Sequence, residues 1–500
     1  MRYRIVYRCA TLVAGSLAGL LIGVPLAHGG NAFVAGASTS IAISTRPIFN
    51  LSASQAPQTG GSAAPVSENE IPVYLPGGDE AGPTLPSQRG IGAIRSSEGL
   101  FRITPYLGVS GIYDTGLAPL TLGADGVFPS RSAGGVDLSF GVTGSRAFRR
   151  TLLNLMYRGG YSHYPKISYL SNSNHQGALG VNHSITRRLQ LSSQNTFGMR
   201  NNAFFGNFGF EDLGSSGNPV PANEFFNSPV LFAQTNQILS YQKSARLSFA
   251  AGGGGNIYWR RSNALASVKG ANLTGNTSYR ISQRQTIGVT YLFNQFFFSN
   301  QYGGSNVHNI SVEYGSQLSR TVDVALAVGG ARVESQSLQR VQVDPLIAAL
   351  FGTTGGVEAI YRLSYIPTFQ GDLRYTRRQW SAGIFAERAI DPGNGIVLTN
   401  RNTRVGANFR YRARRWNAGG GVDYSEMRAL KLERGDYTSG SASVGFSVVM
   451  GHGFSWTNTV SVRRYGGGNS IISSTFLDRN QYQVSSGIFW SPSAFPLPLF

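Results

Sequence analysis

The stretch Arg362-Leu363-Ser364-Tyr365-Ile366-Pro367-Thr368-Phe369-Gln370-Gly371-Asp372-Leu373-Arg374-Tyr375 decides the fold. Leu363, Tyr365, Phe369, Leu373 and Tyr375 fall on one parity, and Arg362, Ser364, Thr368, Gln370, Asp372 and Arg374 fall on the other. Successive strand residues point to opposite faces, so this segment is a strand with one apolar and one polar side. Thr403, Val405, Ala407, Phe409 and Tyr411 alternate with Arg404, Gly406, Asn408, Arg410 and Arg412 in the same way. The pattern starts at Phe101 and persists to the end of the chain.

The breaks between strands carry the second signal. Thr186-Arg187-Arg188, Ser319-Arg320, Arg377-Arg378, Ala413-Arg414 and Gly451-His452 are tight turns, whereas 201–231, 335–358 and 466–475 are long connections. Short turns alternating with long loops are the mark of an outer-membrane barrel, with the turns in the periplasm. The segmentation predicts a single closed antiparallel transmembrane β-barrel of about 18 strands (16–18) over residues 101–500, an even count that leaves both ends in the periplasm. Tyr375, Trp380, Tyr411, Trp416, Trp456 and Trp490 lie near strand ends, where an aromatic girdle belongs. A soluble β-sandwich array or propeller would bury one face in an apolar core, but it would not need loops that alternate in length. Pro367 predicts a bulge in its strand. Pro492, Pro496 and Pro498 predict a final strand from Gln481 to Trp490 followed by a tail, although Phe500 supplies a terminal aromatic.

Composition agrees with this reading. Gly is abundant at 64, Tyr and Phe number 23 and 29, and charged residues are 13%, against about a quarter in an average globular chain. The net charge of +19 is almost wholly Arg; Lys166, Lys243, Lys269 and Lys431 are the only lysines. The arginines are spread through alternating segments with no single basic block, which argues against nucleic-acid binding and for charge at the membrane interface and lumen.

Two segments precede the barrel. Arg2, Arg4 and Arg8 lead into an apolar run from Ala10 to Ala27, the pattern of a signal peptide over 1–37. Ala35-Gly36-Ala37 fits the cleavage site, a cut near Gly29 is an alternative, and an uncleaved anchor helix is another. Cys9, the only cysteine, lies in this leader, so the mature chain has neither disulfide nor cysteine metal site. Residues 38–100 are rich in Ser, Ala, Gly and Pro and show no period, which predicts a disordered periplasmic tether. Ile71-Pro72-Val73-Tyr74-Leu75-Pro76 is the candidate recognition patch there.

Phe101-Arg102-Ile103-Thr104-Pro105-Tyr106, leading to Tyr113-Asp114-Thr115-Gly116, resembles the opening strand of β-barrel porins of exopolysaccharide-export loci. Those begin with aromatic-x-apolar-x-Pro and end on Tyr-Asp-Asp/Ser-Asn; Thr115-Gly116 departs from that last pair. The resemblance spans 101–500 as architecture and about fifteen residues as motif. It implies a Gram-negative outer-membrane location and a role beside a surface polysaccharide.

Motifs for catalysis are missing from the sequence: there is no H-E-x-x-H, no G-x-x-x-x-G-K-[ST] and no G-x-S-x-G. Gly252 to Gly255 precede no helix. His163, His175, His183, His308 and His452 are scattered, although His183 beside Ser184, or His163 near a rim, would be the candidates for an enzyme reading. Neither an enzyme nor any cofactor is expected. Asp137, Arg158, Glu313, Arg362, Asp372, Arg374, Glu387, Arg404, Arg410, Asp423 and Arg463 fall on polar faces and are the candidate pore-lining residues. Facing acid and base set a transverse field and an ion preference, or they are wall salt bridges holding the barrel in shape. The functions that follow are passive diffusion of hydrophilic, anionic solutes; a conduit or scaffold for polysaccharide export; or a structural or adhesive barrel with a plugged lumen. Expected partners are outer-membrane lipid and lipopolysaccharide, the barrel-assembly machinery and periplasmic export components.

Overall fold

The computed structural model describes residues 101–117, 131–166, 171–201, 229–261, 266–299, 303–342, 355–391, 399–430, 436–467, 479–492 and 495–497. The expected signal peptide and tether lie outside the described residues. The strands are β1 (Phe101–Leu117), β2 (Arg131–Ala147), β3 (Thr151–His163), β4 (Asn172–Ser184), β5 (Leu189–Asn201) and β6 (Pro229–Gln242). They continue with β7 (Leu247–Arg260), β8 (Ser267–Arg280), β9 (Gln285–Ser299), β10 (Gly303–Gln317), β11 (Val322–Gln342) and β12 (Gly355–Thr376). The last are β13 (Trp380–Asp391), β14 (Asn400–Arg412), β15 (Trp416–Ala429), β16 (Tyr437–Gly451), β17 (Phe454–Gly467), β18 (Arg479–Trp490) and the short β19 (Phe495–Leu497).

Each strand pairs antiparallel with its sequence neighbours, and β1 pairs with β18 from Leu107↔Trp490 to Thr115↔Tyr482. That last pairing closes an eighteen-stranded barrel. A chain that must satisfy every backbone donor and acceptor inside lipid has no alternative in β-structure, because an open sheet would leave two bare edges. The wall bears this out chemically. Large apolar side chains such as Val109, Leu138, Leu273, Val312, Val328, Ile384, Val422, Val444 and Ile488 are exposed on its outer face, as a lipid-facing band requires.

Two details correct the sequence reading. The chain after Trp490 is not a free tail: β19 returns to β1, with Ile103↔Phe495, Arg102↔Pro496 and Phe101↔Leu497. The register slips by one residue between the two segments, which accommodates Pro492. Pro367 sits in no bulge; it pairs with Gly330 in unbroken register with β11. On its other side β13 has already ended its pairing, at Phe369↔Arg388. Pro367 therefore occupies a sheet edge, where a missing N–H costs no ladder bond.

The tightest turn, between β16 and β17, is built on Gly451 (φ 104°), His452 (φ 53°) and Gly453 (φ 81°). Left-handed backbone is cheap for glycine and costly for other residues. A Cβ on Gly453 would also stand 2.7 Å from the Ser491 carbonyl oxygen.

Candidate pore and its inner wall

Alternation assigns the faces. On β1, Leu107, Val109 and Tyr113 are exposed outward, while Ser110, Ile112 and Asp114 are buried toward the interior. On β15, Val422 and Tyr424 face out, and Asn417, Ser425 and Met427 face in. Carried around the sheet by the pair registers, this places all eleven candidate residues on the inner face. They do not form one group.

A row of acid and base crosses the inner wall from β12 to β18. Gln370 pairs with Glu387 and Glu387 with Arg404; farther round, Asp423 pairs with Ser441, Ser441 with Arg463 and Arg463 with Gln481. Arg404 Nε lies 3.5 Å from Asp423 Oδ2, linking the two halves, and Ser441 Oγ donates to Asp423. The Arg404 guanidinium stands 5.2 Å over the Phe385 ring. That ring lies so close to Gly406 that a Cβ there would meet it at 2.5 Å, so glycine at 406 is what lets the ring lie flat beneath the cation. Arginine suits this place because its planar, weakly hydrated head can stack and pair at once.

The remaining candidates are spread over other levels. Arg374 and Arg410 lie near the end that carries the short turns, with Asp372 just above Arg374 on β12. Arg362 stands higher on the same strand. Glu313 is fully buried in the wall, receiving Thr290 Oγ1 at 2.6 Å and Asn276 Nδ2 at 3.1 Å. Arg158 faces inward on β3, and Asp137 on β2 accepts Ser162 Oγ at 2.6 Å. Near Asp137 the sequence reading missed a second carboxylate. Asp114 is fully buried and accepts a hydrogen bond from Tyr164, which itself is fully buried just past the end of β3. Burial, and then the neighbouring Asp114 charge, push the Tyr164 phenol above its ordinary range, so it remains a donor.

A larger feature escaped the sequence entirely. Above Arg388, β13 and β14 stay paired to each other as far as Asp391↔Asn400 but no longer pair with β12. Ile390 instead packs, 2% exposed, in one apolar cluster with Phe296, Val307, Ala331, Val333 and Ile366 of β9 to β12. Ser305 Oγ on β10 and Thr399 Oγ1 at the start of β14 are 2.6 Å apart. The described ends of this hairpin, at Ile390 and Thr399, are thus folded inward against the inner wall in the external half of the barrel. The cluster was foreshadowed only by interruptions of the pattern: Phe296, Val307, Val333 and Ile366 are apolar residues on polar parity.

The histidine candidates for catalysis are not assembled. His183 Nδ1 is bonded to Thr151 Oγ1 at 2.8 Å, and Ser184, the next strand residue, points to the opposite face. His175 and His308 meet Tyr157 and Tyr291 at 2.9 and 2.8 Å. Among the described residues no cluster of His, Cys, Asp or Glu is placed to hold a metal ion.

No family model and no curated protein matches the sequence. Among solved structures, OccAB1 of Acinetobacter baumannii aligns over 81% of this chain and 99% of its own, with 11% identity and a TM-score of 0.39. OccK5 (OpdH) of Pseudomonas aeruginosa aligns over 79% and 98%, at 10% identity and a TM-score of 0.38. The FrpB iron transporter of Neisseria meningitidis (F5-1 variant) aligns over 76% and 66%, at 9% and 0.39.

Proposed function

We propose that this protein is an outer-membrane porin-like channel through which hydrophilic solutes, anions foremost, diffuse passively. The observation that carries the reading is the row Glu387, Arg404, Asp423, Ser441 and Arg463 on the inner face of a closed eighteen-stranded wall. A barrel of this strand number encloses space for water. Charged side chains facing that space orient polar solutes and set ion preference. The eleven candidate residues comprise six arginines and five acids; Arg102, Arg260, Arg280 and Arg412 share the inner face with them, as do Asp114, Asp323, Glu358 and Asp391, which leaves arginine a narrow excess. The folded-in β13–β14 hairpin serves as the selective constriction. No chemistry on the solute is part of this function, and an outer-membrane location follows from the lipid-facing band together with the turn pattern.

Planar-bilayer recording of the purified protein tests the reading. Discrete conductance with anion preference is expected. Folded protein without conductance would favour the plugged structural barrel, and clear cation preference would remove the anionic part of the proposal.

A further inference from the structure

The turn-bearing rim of this barrel is cationic, whereas the connections at the other end are net acidic in sequence. At the end with the short turns, Arg149 and Arg150 occupy turn 148–150, Arg187 and Arg188 turn 185–188, and Lys243 and Arg246 turn 243–246. Arg284 follows in turn 281–284, Arg320 in 318–321, Arg377 and Arg378 in 377–379, and Arg414 and Arg415 in 413–415. All twelve are exposed, and these seven turns contain no Asp or Glu. The nine connections at the opposite end carry, in sequence, eight carboxylates, among them Asp125, Glu211, Asp212 and Asp344, against four cations. Neighbouring turns sit two strands apart, roughly 10–13 Å in a tilted wall. That exceeds the Debye length of about 8 Å at physiological salt, so the turns act as a ring of separate cationic sites that one long chain can bridge.

The collar continues inward. Arg102, Arg280, Arg374, Arg410 and Arg412 lie at the same end on the inner face, whereas Arg146 alone among the strand-end arginines there is on the outer face. Asp323 and Asp372 stand among the inward arginines without reversing their excess. A leaflet of anionic lipid surrounds a barrel and meets only its outer face, so it would not use this inward set. A single small anion meets one turn at a time. A flexible chain bearing many anionic groups engages several turns together and gains from each, and the field along the rim directs it to the mouth.

We propose that the turn-bearing rim is a capture collar for a flexible polyanion, which it delivers to the lumen from the periplasmic side. The proposal rests on the channel reading above and adds its substrate class and its side of entry. Oligogalacturonate serves as the probe, with monomeric galacturonate as control. Channels are recorded in phosphatidylcholine bilayers, and the turn side is identified by a bulky thiol reagent on Ser319→Cys in a Cys9→Ser background. Current block by the oligomer is expected at a concentration at least tenfold lower from the turn side than from the other, with no such sidedness for the monomer. The six-site variant R187Q/R188Q/R377Q/R378Q/R414Q/R415Q should bring the two sides within threefold. Equal block from both sides, stronger block from the loop side, or sidedness that survives in the variant would overturn the collar. If phosphatidylglycerol in the bilayer erases the sidedness, the collar belongs to lipid headgroups and the polyanion is wrong. Should the protein conduct nothing, the channel reading fails by itself. Salt-sensitive binding of fluorescent oligogalacturonate to the folded protein in neutral detergent, lost in the variant, then still decides the collar.

Discussion

Val422→Arg puts a guanidinium where the structure presents an exposed valine to lipid. Val422 is 55% exposed on the outer face, and it sits at the middle of β15, between Ala407 and Ala442. Neither alanine offers a counter-charge, and the midplane position leaves no short route to either interface for snorkelling. An Arg at the midplane of a barrel's lipid face costs about 2–4 kcal/mol, equivalent to a roughly 30- to 700-fold loss in the folding equilibrium at 1.4 kcal/mol per tenfold. Asp423, one residue on, faces the interior beside Arg404 and Ser441. Asp423→Asn keeps the shape and an acceptor for Ser441 but removes the charge facing Arg404 in a pair 17% and 14% exposed, so its cost should be about 1–2 kcal/mol. Both variants can be refolded from urea into phosphatidylcholine vesicles and followed by their heat-modifiable migration. A Val422→Arg protein as stable as the parent, or an Asp423→Asn protein more damaged than Val422→Arg, would refute the face assignment. The pore would go with it, since a slip of one residue reverses every side chain.

Other outcomes follow from single features. Arg404→Gln removes the cation between Glu387 and Asp423, and the reversal potential in a salt gradient should move toward cations; an unchanged potential would take Arg404 out of the selectivity row. Gly453→Ala forces a Cβ into left-handed backbone at a cost of roughly 1–2 kcal/mol, read as a lower urea midpoint, and more if the Ser491 carbonyl cannot yield. Deleting residues 495–500 strips β19 from Phe101–Ile103 and should lower the temperature at which the folded band is lost; an unaltered profile would make β19 ornamental. Thiol probing of single cysteines in a Cys9→Ser background should label position 410 readily with a water-soluble reagent and position 409 poorly once the barrel is in lipid.

Most of the barrel was legible in the sequence because one physical rule governs each membrane-crossing strand. Where both lipid and water are present the period of two is strong, as along 362–375, which the structure places within one strand. The stretch 335–358, which reads as a long connection, is taken up at both ends by β11 (Val322–Gln342) and β12 (Gly355–Thr376). Their extensions include Ser335-Gln336-Ser337, where polar residues occupy both parities and the contrast that marks a strand is lost. The inward parity of Arg404 and Asp423 could be counted from Val405 and Val422. Their pairing with each other depends on the offset between β14 and β15, which a single strand does not encode. The folded-in hairpin is a tertiary choice: Ile390 reads as an ordinary wall residue until its neighbours are known. Beside the apolar residues on polar parity, Pro367 is a local hint, and it points to an edge where a bulge was expected.

That edge has a mechanical consequence. A barrel held by lateral hydrogen bonds is a hoop, and a hoop bears circumferential load only where it is continuous. Up to the Phe369–Arg388 pair this hoop is complete among the described residues; above it β12 has ladder bonds with β11 alone, and β13 has turned away with β14, meeting Ile366 only through side chains. The lower barrel is therefore a rigid ring and the upper part resembles a collar with one slit, free to widen without breaking any ladder. The amide protons of β12 above Thr368 that point away from β11 should exchange well before those of 369–376, and a cross-link drawing the slit shut should slow the passage of bulky solutes more than that of ions.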